Sequence, residues 1–549
     1  MKKLSLKLLF IIFSLFLIQR LDAQGKGVST VDSLDKSYLN WYNLDPAKDK
    51  TAGAAVNRAY NDFLKDKTPK KKIIVAVIDA GVDIDHADLQ GKIWTNKNEI
   101  PGNGIDDDNN GYIDDIHGWN FLGNSKGENI NYENLEQVRI FREFARQFKD
   151  SISPDQIPLA QKEDYRIYLK CKKSYEDELK EYQEMAKRVS DFEKKFNDAE
   201  TVLKDYLHKE TFTKNDVEQI TDTAAKVIKA RDYRLSLYKK DFSPKSFAGM
   251  KERTNSYLDY SLNLNFEPRK IIGDNPVDIN DTRYGNADVK GPGPDHGTFV
   301  AGIIAANRNN AFGIDGIAGN VEIMVLRIVP NGDERDKDVA LAIRYAVSNG
   351  ANVINMSFGK DFSPQKKFVD DAAKYADIHN VLLCHAAGNE SDDIDKIEHF
   401  PTVYFLDGGT AKDWLTVGAN SKSPDKTLCG VFSNYGNKNV DLFAPGVKII
   451  SLNPGNKYQI AGGTSFSCPV VAGVAALVWS YYPELTALEL KDILLKSTTK
   501  YSRKKVYFPN NKTPDKTLTR FSRLSQTGGI VNAYKSLKLA EKVVRKKNK

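Results

Sequence analysis

Lys-Lys-Ile-Ile-Val-Ala-Val-Ile-Asp-Ala-Gly-Val, residues 71–82, indicates the fold class of this chain. Its unbroken apolar run predicts a strand buried on both faces that ends at Asp79. From about residue 285 onward, similar apolar runs alternate with helical patterns. The predicted strands are Val321–Val329, Ala351–Ser357, Val381–Ala387, Trp414–Ala419 and Val440–Ala444. The predicted helices are His296–Ala306, Val339–Ser348, Lys367–Ala376, Thr464–Tyr481 and Leu488–Lys496. This alternation predicts an α/β fold with a doubly wound, mostly parallel sheet, whose functional site lies beyond the carboxyl ends of the strands.

Three polar side chains stand where these elements begin or end. Asp79 ends the first strand, His296 opens a helix in Asp-His-Gly-Thr (295–298), and Ser465 opens another in Gly-Gly-Thr-Ser (462–465). A nucleophilic serine needs an adjacent base, and the base needs an acid that fixes its tautomer and orientation. Any one of these residues alone would usually be structural, a serine in such a turn being most often a helix cap. Together, in the order Asp, His, Ser, they indicate a serine hydrolase.

The sequence resembles the subtilase family, the subtilisin-like serine peptidases. The segments that carry the resemblance are Asp79–Leu89, Asp295–Ile304, Ala386–Asn389, Phe432–Gly436, Ala444–Gly446, Gly463–Gly473 and Gly528–Ala533. The resemblance implies a subtilisin-type sheet and an endopeptidase in which Asp79 orients His296, His296 transfers protons and Ser465 attacks the scissile carbonyl. It also implies that Asn389 stabilises the oxyanion together with the backbone N–H of Ser465.

The same resemblance suggests where a polypeptide substrate binds. Ser357, Phe358 and Gly359 match a family stretch whose backbone pairs with an extended peptide, and Lys360 stands where the family has a second glycine. A further set resembles the wall of the primary specificity pocket: Ala386, Ala387 and Gly388. Acidic residues follow directly at Glu390, Asp392, Asp393 and Asp395. Both a preference for a basic substrate residue and a solvated acidic loop are consistent with them.

An acidic loop over residues 104–115, Gly-Ile-Asp-Asp-Asp-Asn-Asn-Gly-Tyr-Ile-Asp-Asp, follows the first strand. Calcium prefers six to eight oxygen ligands, which alternate residues of a tight loop can supply. The predicted ligands are Asp106, Asp108, Asn110, the carbonyl of Tyr112, Asp114 and Asp115. His117 occupies the position where a bidentate glutamate is expected. We predict a structural Ca²⁺ site, with an Asp/Asn-rich surface turn as the alternative.

Five segments are predicted along the chain. They are a signal peptide (1–23), an N-terminal extension or short pro-segment (24–70), a first catalytic part (71–127), a helical insertion between the catalytic Asp and His (128–284) and a second catalytic part (285–545). The insertion shows one long helix from Tyr175 to Tyr206 and a second from Asp216 to about Lys240, which predicts a helical hairpin. Packing, substrate gating and docking of a protein partner all remain open as its role.

The composition is that of an ordinary folded protein with many charges. Lysines and arginines exceed aspartates and glutamates by only 7 and are interspersed with them, so no nucleic-acid partner is predicted. The N-terminal order of charged, apolar and small residues predicts export, to the periplasm or the medium, and no membrane span after removal of the signal. Two alternatives to an enzyme are a catalytically silent scaffold that uses the insertion and an adhesin-like calcium-binding protein.

Overall fold

The computed structural model describes residues 31–148, 155, 157–240, 242–511, 513 and 516–549. The predicted signal peptide lies outside the described residues. The strands are β1 (Ile73–Asp79), β2 (Gly118–Asn120), β3 (Val321–Arg327), β4 (Val353–Met356), β5 (Leu382–Ala386), β6 (Trp414–Asn420), β7 (Leu442–Pro445), β8 (Ile449–Asn453), β9 (Lys457–Ala461), β10 (Thr499–Lys500), β11 (Lys505–Tyr507), β12 (Leu518–Arg520) and β13 (Gly529–Ile530).

The helices flank these strands or form the insertion. They are α1 (Val56–Arg58), α2 (Glu136–Phe144), α3 (Lys162–Leu207), α4 (Lys214–Glu218), α5 (Ala225–Tyr238), α6 (Pro244–Ser256), α7 (Arg269–Ile272), α8 (Asp295–Ala305), α9 (Asp336–Ser348), α10 (Lys366–Ile378), α11 (Thr464–Tyr481), α12 (Ala487–Lys496) and α13 (Ala533–Lys547). The described chain divides into two compact units, with the boundaries after Glu136 and after Phe266.

The first unit contains a nine-stranded sheet in the order β10-β13-β7-β6-β5-β4-β1-β3-β2. Every pairing in it is parallel except that of β10 with β13. β1 lies between β4 and β3, where the order of the strands reverses, and such a switch point is where sites form in open α/β sheets. The predicted doubly wound, mostly parallel sheet is confirmed.

Alternate residues of β1 show why the sheet is covered on both faces. Val75 and Val77 belong to a core cluster that includes residues of α8 and α11, whereas Ala76 and Ile78 belong to one that includes residues of α9 and α10. Successive side chains of a strand point to opposite faces, so an uninterrupted apolar run requires a cover on each.

One helix of the described chain is long and apolar enough to cross a membrane by length and composition. This helix is α11, and 89% of its apolar window is buried inside the protein. It packs against the sheet as a central core helix.

The segment before β1 is part of the first unit. Trp41 and Tyr42 are fully buried; the indole N–H of Trp41 donates to the carbonyl of Lys448 (3.0 Å), and the hydroxyl of Tyr42 donates to that of Asp315 (2.9 Å). Within this segment α1 is followed by a π-helical turn that ends at Leu64. Residues 31–64 therefore contribute to the main core.

The second unit contains more helices than the predicted hairpin. α3 starts before the predicted Tyr175, at Lys162, and ends at Leu207. The predicted second helix is divided into α4 and α5, and in the segment between them Asp222 accepts the backbone N–H of Ala224 (2.7 Å) in a turn typical of Asp. A further helix, α6, follows. Ala199 and Leu203 of α3 pack in one apolar cluster with Val217, Ile220 and Ala230.

The burial of the N-terminal segment leads to a stability prediction. Leu64→Ala should lower the free energy of unfolding by about 2–5 kcal/mol, because Leu64 is only 3% exposed in the main core. The matched control is Leu488→Ala, since Leu488 is 46% exposed, and it should change that free energy by less than about 0.5 kcal/mol. Urea unfolding followed by tryptophan fluorescence measures both. Equal effects would show that residues 31–64 do not stabilise the unit.

Candidate active site

The predicted site residues meet at the carboxyl edge of the sheet. Asp79 is the last residue of β1, Ser357 follows β4, and Asn389 follows β5. His296 and Ser465 lie in the first turns of α8 and α11. Strand ends and helix starts alternate in this type of fold, so residues far apart in sequence meet at one edge.

The Asp79–His296 pair is in hydrogen-bond contact. His296 Nδ1 lies 2.8 Å from Oδ1 of Asp79, which also accepts the backbone N–H of Ala80 (2.7 Å). Asp79 is 1% exposed. A carboxylate next to Nδ1 favours the tautomer with the proton on that nitrogen, which leaves Nε2 as the acceptor. The pair therefore presents a base whose orientation is fixed.

The pKa of His296 is raised above its ordinary value. Burial alone would lower that pKa, but the charge of Asp79 and its hydrogen bond, together with the charge of Asp295, outweigh burial. An imidazolium has no lone pair with which to accept a proton. The base form of His296 is consequently lost at a higher pH than for an ordinary histidine.

Ser465 is half-buried and connected to the strand edge after β4. Its Oγ donates to the carbonyl of Ser357 (3.1 Å), and its own carbonyl accepts the hydroxyl of Ser357 (2.8 Å). No hydrogen bond joins Ser465 to His296 among the described residues. Transfer of the Ser465 proton to His296 therefore requires rotation of the hydroxyl, which fits the loose catalytic hydrogen bonds common in substrate-free sites.

Asn389 is oriented by the residue that precedes Ser465. Its Oδ1 accepts both the backbone N–H (2.8 Å) and the hydroxyl (3.1 Å) of Thr464. These donors fix which end of the amide is oxygen, so Nδ2 faces elsewhere as a donor. Within the described ranges Nδ2 makes no hydrogen bond. The side chain thus offers a positioned donor beside Ser465.

The two predicted substrate-binding stretches follow neighbouring strands. β4 and β5 pair in parallel, with Met356 opposite His385, so Ser357, Phe358 and Gly359 lie beside Ala386, Ala387 and Gly388. Gly388 has a φ of +102°, and a Cβ there would lie 2.3 Å from Nδ2 of Asn434, so a glycine is required. His385 was not predicted; its Nε2 lies 3.0 Å from the carbonyl of Phe358 and fixes the end of the first stretch.

The acidic residues after Asn389 are held by groups of the protein itself. Glu390 accepts the backbone N–H of Asn389 and the amide of Asn434, and Asp393 pairs with Lys396. Asp395 accepts the backbone N–H groups of residues 438 and 439. These contacts favour a structural role for the acidic loop over recognition of a basic substrate residue.

The predicted calcium loop brings only some of its carboxylates together. Asp106 and Asp108 form a group with Glu99 in which one oxygen of each lies within 4.8 Å of the others. Glu99 was missed because it precedes the loop that the spacing argument counts. Carboxylate oxygens are the donors that Ca²⁺ prefers, so these three residues fit part of the set of six to eight ligands that it takes, although each also accepts a backbone N–H of the loop.

The other predicted ligands of this loop have different partners. Asp114 accepts the backbone N–H groups of residues 102, 103 and 104. Asp115 accepts the hydroxyl of Tyr345 and the amides of Asn96 and Asn110, and burial raises its pKa to about 6. The side-chain oxygen of Asn110 accepts the N–H of Tyr112, whose ring packs on Trp119.

Comparison with known proteins agrees with this architecture. The family model described as "Subtilase family" matches residues 70–512, so the chain belongs to the subtilase family. It is 37% identical over 214 residues to the thermophilic serine proteinase of Bacillus sp. (strain AK1), covering 39% of this chain and 49% of that protein. It is 34% identical over 220 residues to subtilisin E of Bacillus subtilis (strain 168), covering 39% and 53%.

The chain thus spans about half the length of the curated relatives it matches. Among solved structures, a cold adapted subtilisin-like serine proteinase matches with 30% sequence identity, 44% coverage of this chain, 77% coverage of that chain and a TM-score of 0.34. The family assignment rests on the match to residues 70–512.

The electrostatics of His296 lead to a second prediction. Asp295→Asn should lower the pKa of His296 because it removes one of the negative charges that raise it. The pH titration of the ring-proton resonances by NMR measures this pKa, which in the unsubstituted protein should exceed about 6.5. Asp85→Asn removes an exposed carboxylate that pairs with Lys290 and should leave the titration unchanged. A pKa at or below the ordinary value would contradict the assigned interaction with Asp79.

Proposed function

We propose that this chain is an exported serine endopeptidase in which Ser465 is the nucleophile. The observation that carries the proposal is the 2.8 Å hydrogen bond between His296 and the buried Asp79, on the same edge of the sheet as Ser465 and Asn389. Family membership supports peptide-bond hydrolysis, and the relatives named above are proteinases. Export rests on the predicted signal over residues 1–23.

The proposed reaction proceeds in two halves. Ser465 Oγ attacks the scissile carbonyl carbon while its proton passes to Nε2 of His296, and Asp79 stabilises the resulting imidazolium. The C–N bond then breaks, and His296 returns the proton to the leaving amine. A water molecule, deprotonated by His296, attacks the acyl-enzyme in the same way and releases Ser465.

The negative charge on the intermediate needs donors that are already in place. Nδ2 of Asn389 and the backbone N–H of Ser465, at the start of α11, are the proposed donors. Support for Asn389 comes from the two hydrogen bonds of its Oδ1 to Thr464, because they restrict the amide to one orientation. A preoriented donor stabilises the transition state without reorganising during the reaction.

The polypeptide substrate is proposed to lie extended along residues 357–359, with the residue before the cleaved bond beside residues 386–388. Two features of the described structure support this arrangement. The carbonyl of Ser357 faces Ser465, and β4 and β5 place the two stretches side by side. Main-chain pairing of this kind accepts many side chains, so the proposed edge can bind extended polypeptides of varied sequence.

Labelling with a fluorophosphonate probe tests the proposal. The probe should modify the protein at Ser465, and Ser465→Ala should abolish labelling. Asn389→Ala should fold normally and lower kcat on a peptide substrate about 10²–10³-fold, the loss typical for one oxyanion donor, for which subtilisin is itself the standard example. Absence of labelling in the folded, unsubstituted protein would instead favour a catalytically silent scaffold.

Calcium binding by Glu99, Asp106 and Asp108 is part of the proposal. When bound, the ion would stabilise the loop by balancing carboxylates that otherwise repel one another. Support comes from the proximity of these three oxygens. The remaining predicted ligands, Asp114 and Asp115, would serve the loop through the hydrogen bonds described above.

Removal of calcium should lower the thermal stability. Excess EDTA is expected to lower Tm, because a ligand that binds only the folded state stabilises it by mass action. In the double variant Asp106→Asn/Asp108→Asn the EDTA-induced change should be much smaller. Asp371→Asn, which removes an exposed carboxylate paired with Lys367, is the control and should keep the full change. An identical Tm with and without EDTA would mean that these carboxylates only cap turns.

A further inference from the structure

Lys360 stands at the end of the proposed substrate edge, and its side chain is turned into the protein. The residue is 5% exposed. Its Nζ lies 2.6 Å from Oε2 of Glu136, 2.9 Å from Oδ1 of Asp336 and 2.8 Å from the carbonyl of Glu334. An ammonium group has three protons, and each has an acceptor here. This arrangement differs from the solvent-exposed position usual for lysine.

The acceptors of Lys360 are themselves fixed. Glu136 and Asp336 are buried at the starts of α2 and α9, where a helix dipole favours negative charge. Asp336 also accepts the hydroxyl of Ser363 and the backbone N–H of Gln365. Breaking a buried ion pair of this kind leaves an uncompensated charge in the interior, so the cluster resists displacement of Lys360.

The backbone of Lys360 is held from a second direction. Its N–H donates to the carbonyl of Phe400 (2.9 Å), and its carbonyl accepts the N–H of Phe400 (2.8 Å). Both hydrogen bonds lie on the same side of residues 357–360. Because polar groups alternate sides along an extended chain, those of Gly359 face the opposite side.

The contacts of Ser357 show which residues lie on the side that the polar groups of Gly359 face. The carbonyl of Ser357 accepts the hydroxyl of Ser465, whereas the next carbonyl, of Phe358, faces His385. The alternation therefore directs the polar groups of Ser357 and Gly359 towards the nucleophile and those of residues 358 and 360 away from it. Lys360 anchors the stretch from behind, one residue beyond Gly359.

The geometry assigns Lys360 as a positioning residue for extended peptide substrates. This inference rests on the proposed function. The buried ammonium fixes the end of residues 357–360, so that the N–H and carbonyl of Gly359 are held ready to pair with a substrate backbone several residues before the cleaved bond. At the position where the family has a second glycine, this chain has a lysine. Its buried side chain restrains the backbone that a glycine would leave free.

The inference predicts a loss that depends on the length of the substrate. A tetrapeptide amide must pair with Gly359, whereas an ester of a single acylated amino acid needs only the reacting groups and the adjoining pocket. For Lys360→Met, kcat/KM on the peptide should fall about 10- to 100-fold, as expected of a misplacement near 1 Å. The ester, with the same residue before the cleaved bond, should lose less than about threefold, and KM for the peptide should rise.

Two further variants make this experiment decisive. Lys367→Met is the matched control, because Lys367 is exposed and pairs with its helical neighbour Asp371, and it should leave both rates unchanged. Glu136→Gln removes one carboxylate but keeps an acceptor for Lys360, and it should cause a smaller loss confined to the peptide. It also keeps the inference testable if Lys360→Met does not fold.

The outcomes separate this inference from the proposed function. A larger loss on the peptide than on the ester in Lys360→Met or Glu136→Gln supports the positioning role. Equal losses on both substrates would show a purely structural cluster, and unchanged rates would show that the edge holds without it; either result overturns the inference. If the unsubstituted protein reacts with neither the fluorophosphonate nor the two substrates, the proposed function fails first.

Discussion

The geometry of the site depends on one buried carboxylate. Asp79 ends a strand that is buried on both faces. Its Oδ1 forms hydrogen bonds with Nδ1 of His296 and with the backbone N–H of Ala80. A buried carboxylate is costly unless hydrogen bonds compensate it, so the strand end and the start of α8 are held together by the same contact that fixes the histidine. Gly297 permits this approach, because a Cβ there would lie 2.1 Å from the carbonyl of Gly81.

The parts of the fold that could be predicted are those governed by local patterns. The apolar run of β1 and the apolar composition of α11 each specify an element buried on every side, and both form at the expected residues. β3 and β4 are shorter than predicted: β3 ends two residues early, at Arg327, whereas β4 begins two residues late, at Val353, and ends one residue early, at Met356. The predicted second helix is interrupted between α4 and α5, where Asp222 forms a local turn with Ala224, and a periodicity argument does not detect such an interruption.

The parts of the site that could not be predicted depend on which partner each charged side chain contacts in the folded protein. Glu99 lies before the spacing pattern of the acidic loop, and its carboxylate comes within 4.8 Å of those of Asp106 and Asp108 only in the folded protein. In the sequence, Lys360 is recognisable only as a lysine where the family has a glycine. No sequence pattern predicts that its ammonium contacts Glu136, which lies 224 residues away. Likewise the acidic residues after Asn389 suggest an exposed charged surface, whereas Glu390 and Asp395 accept hydrogen bonds from the adjacent backbone. The sequence thus shows which side chains are charged, but it does not show which groups those side chains contact in the folded protein.

The same buried charges explain how a long insertion fits between Asp79 and His296. The chain leaves the first unit at Glu136 and re-enters at Glu267. At the first end, Glu136 and Asp336 both form ion pairs with Lys360. At the second end, Arg269 forms a bidentate ion pair with Asp338 (2.9 and 3.0 Å). Both ends are thus attached to the first turn of α9. Because both attachments reach one rigid helix, the spacing of the two ends is set within the first unit. Lengthening the intervening segment then adds only a slowly growing entropic cost and leaves the approach of His296 to Asp79 intact.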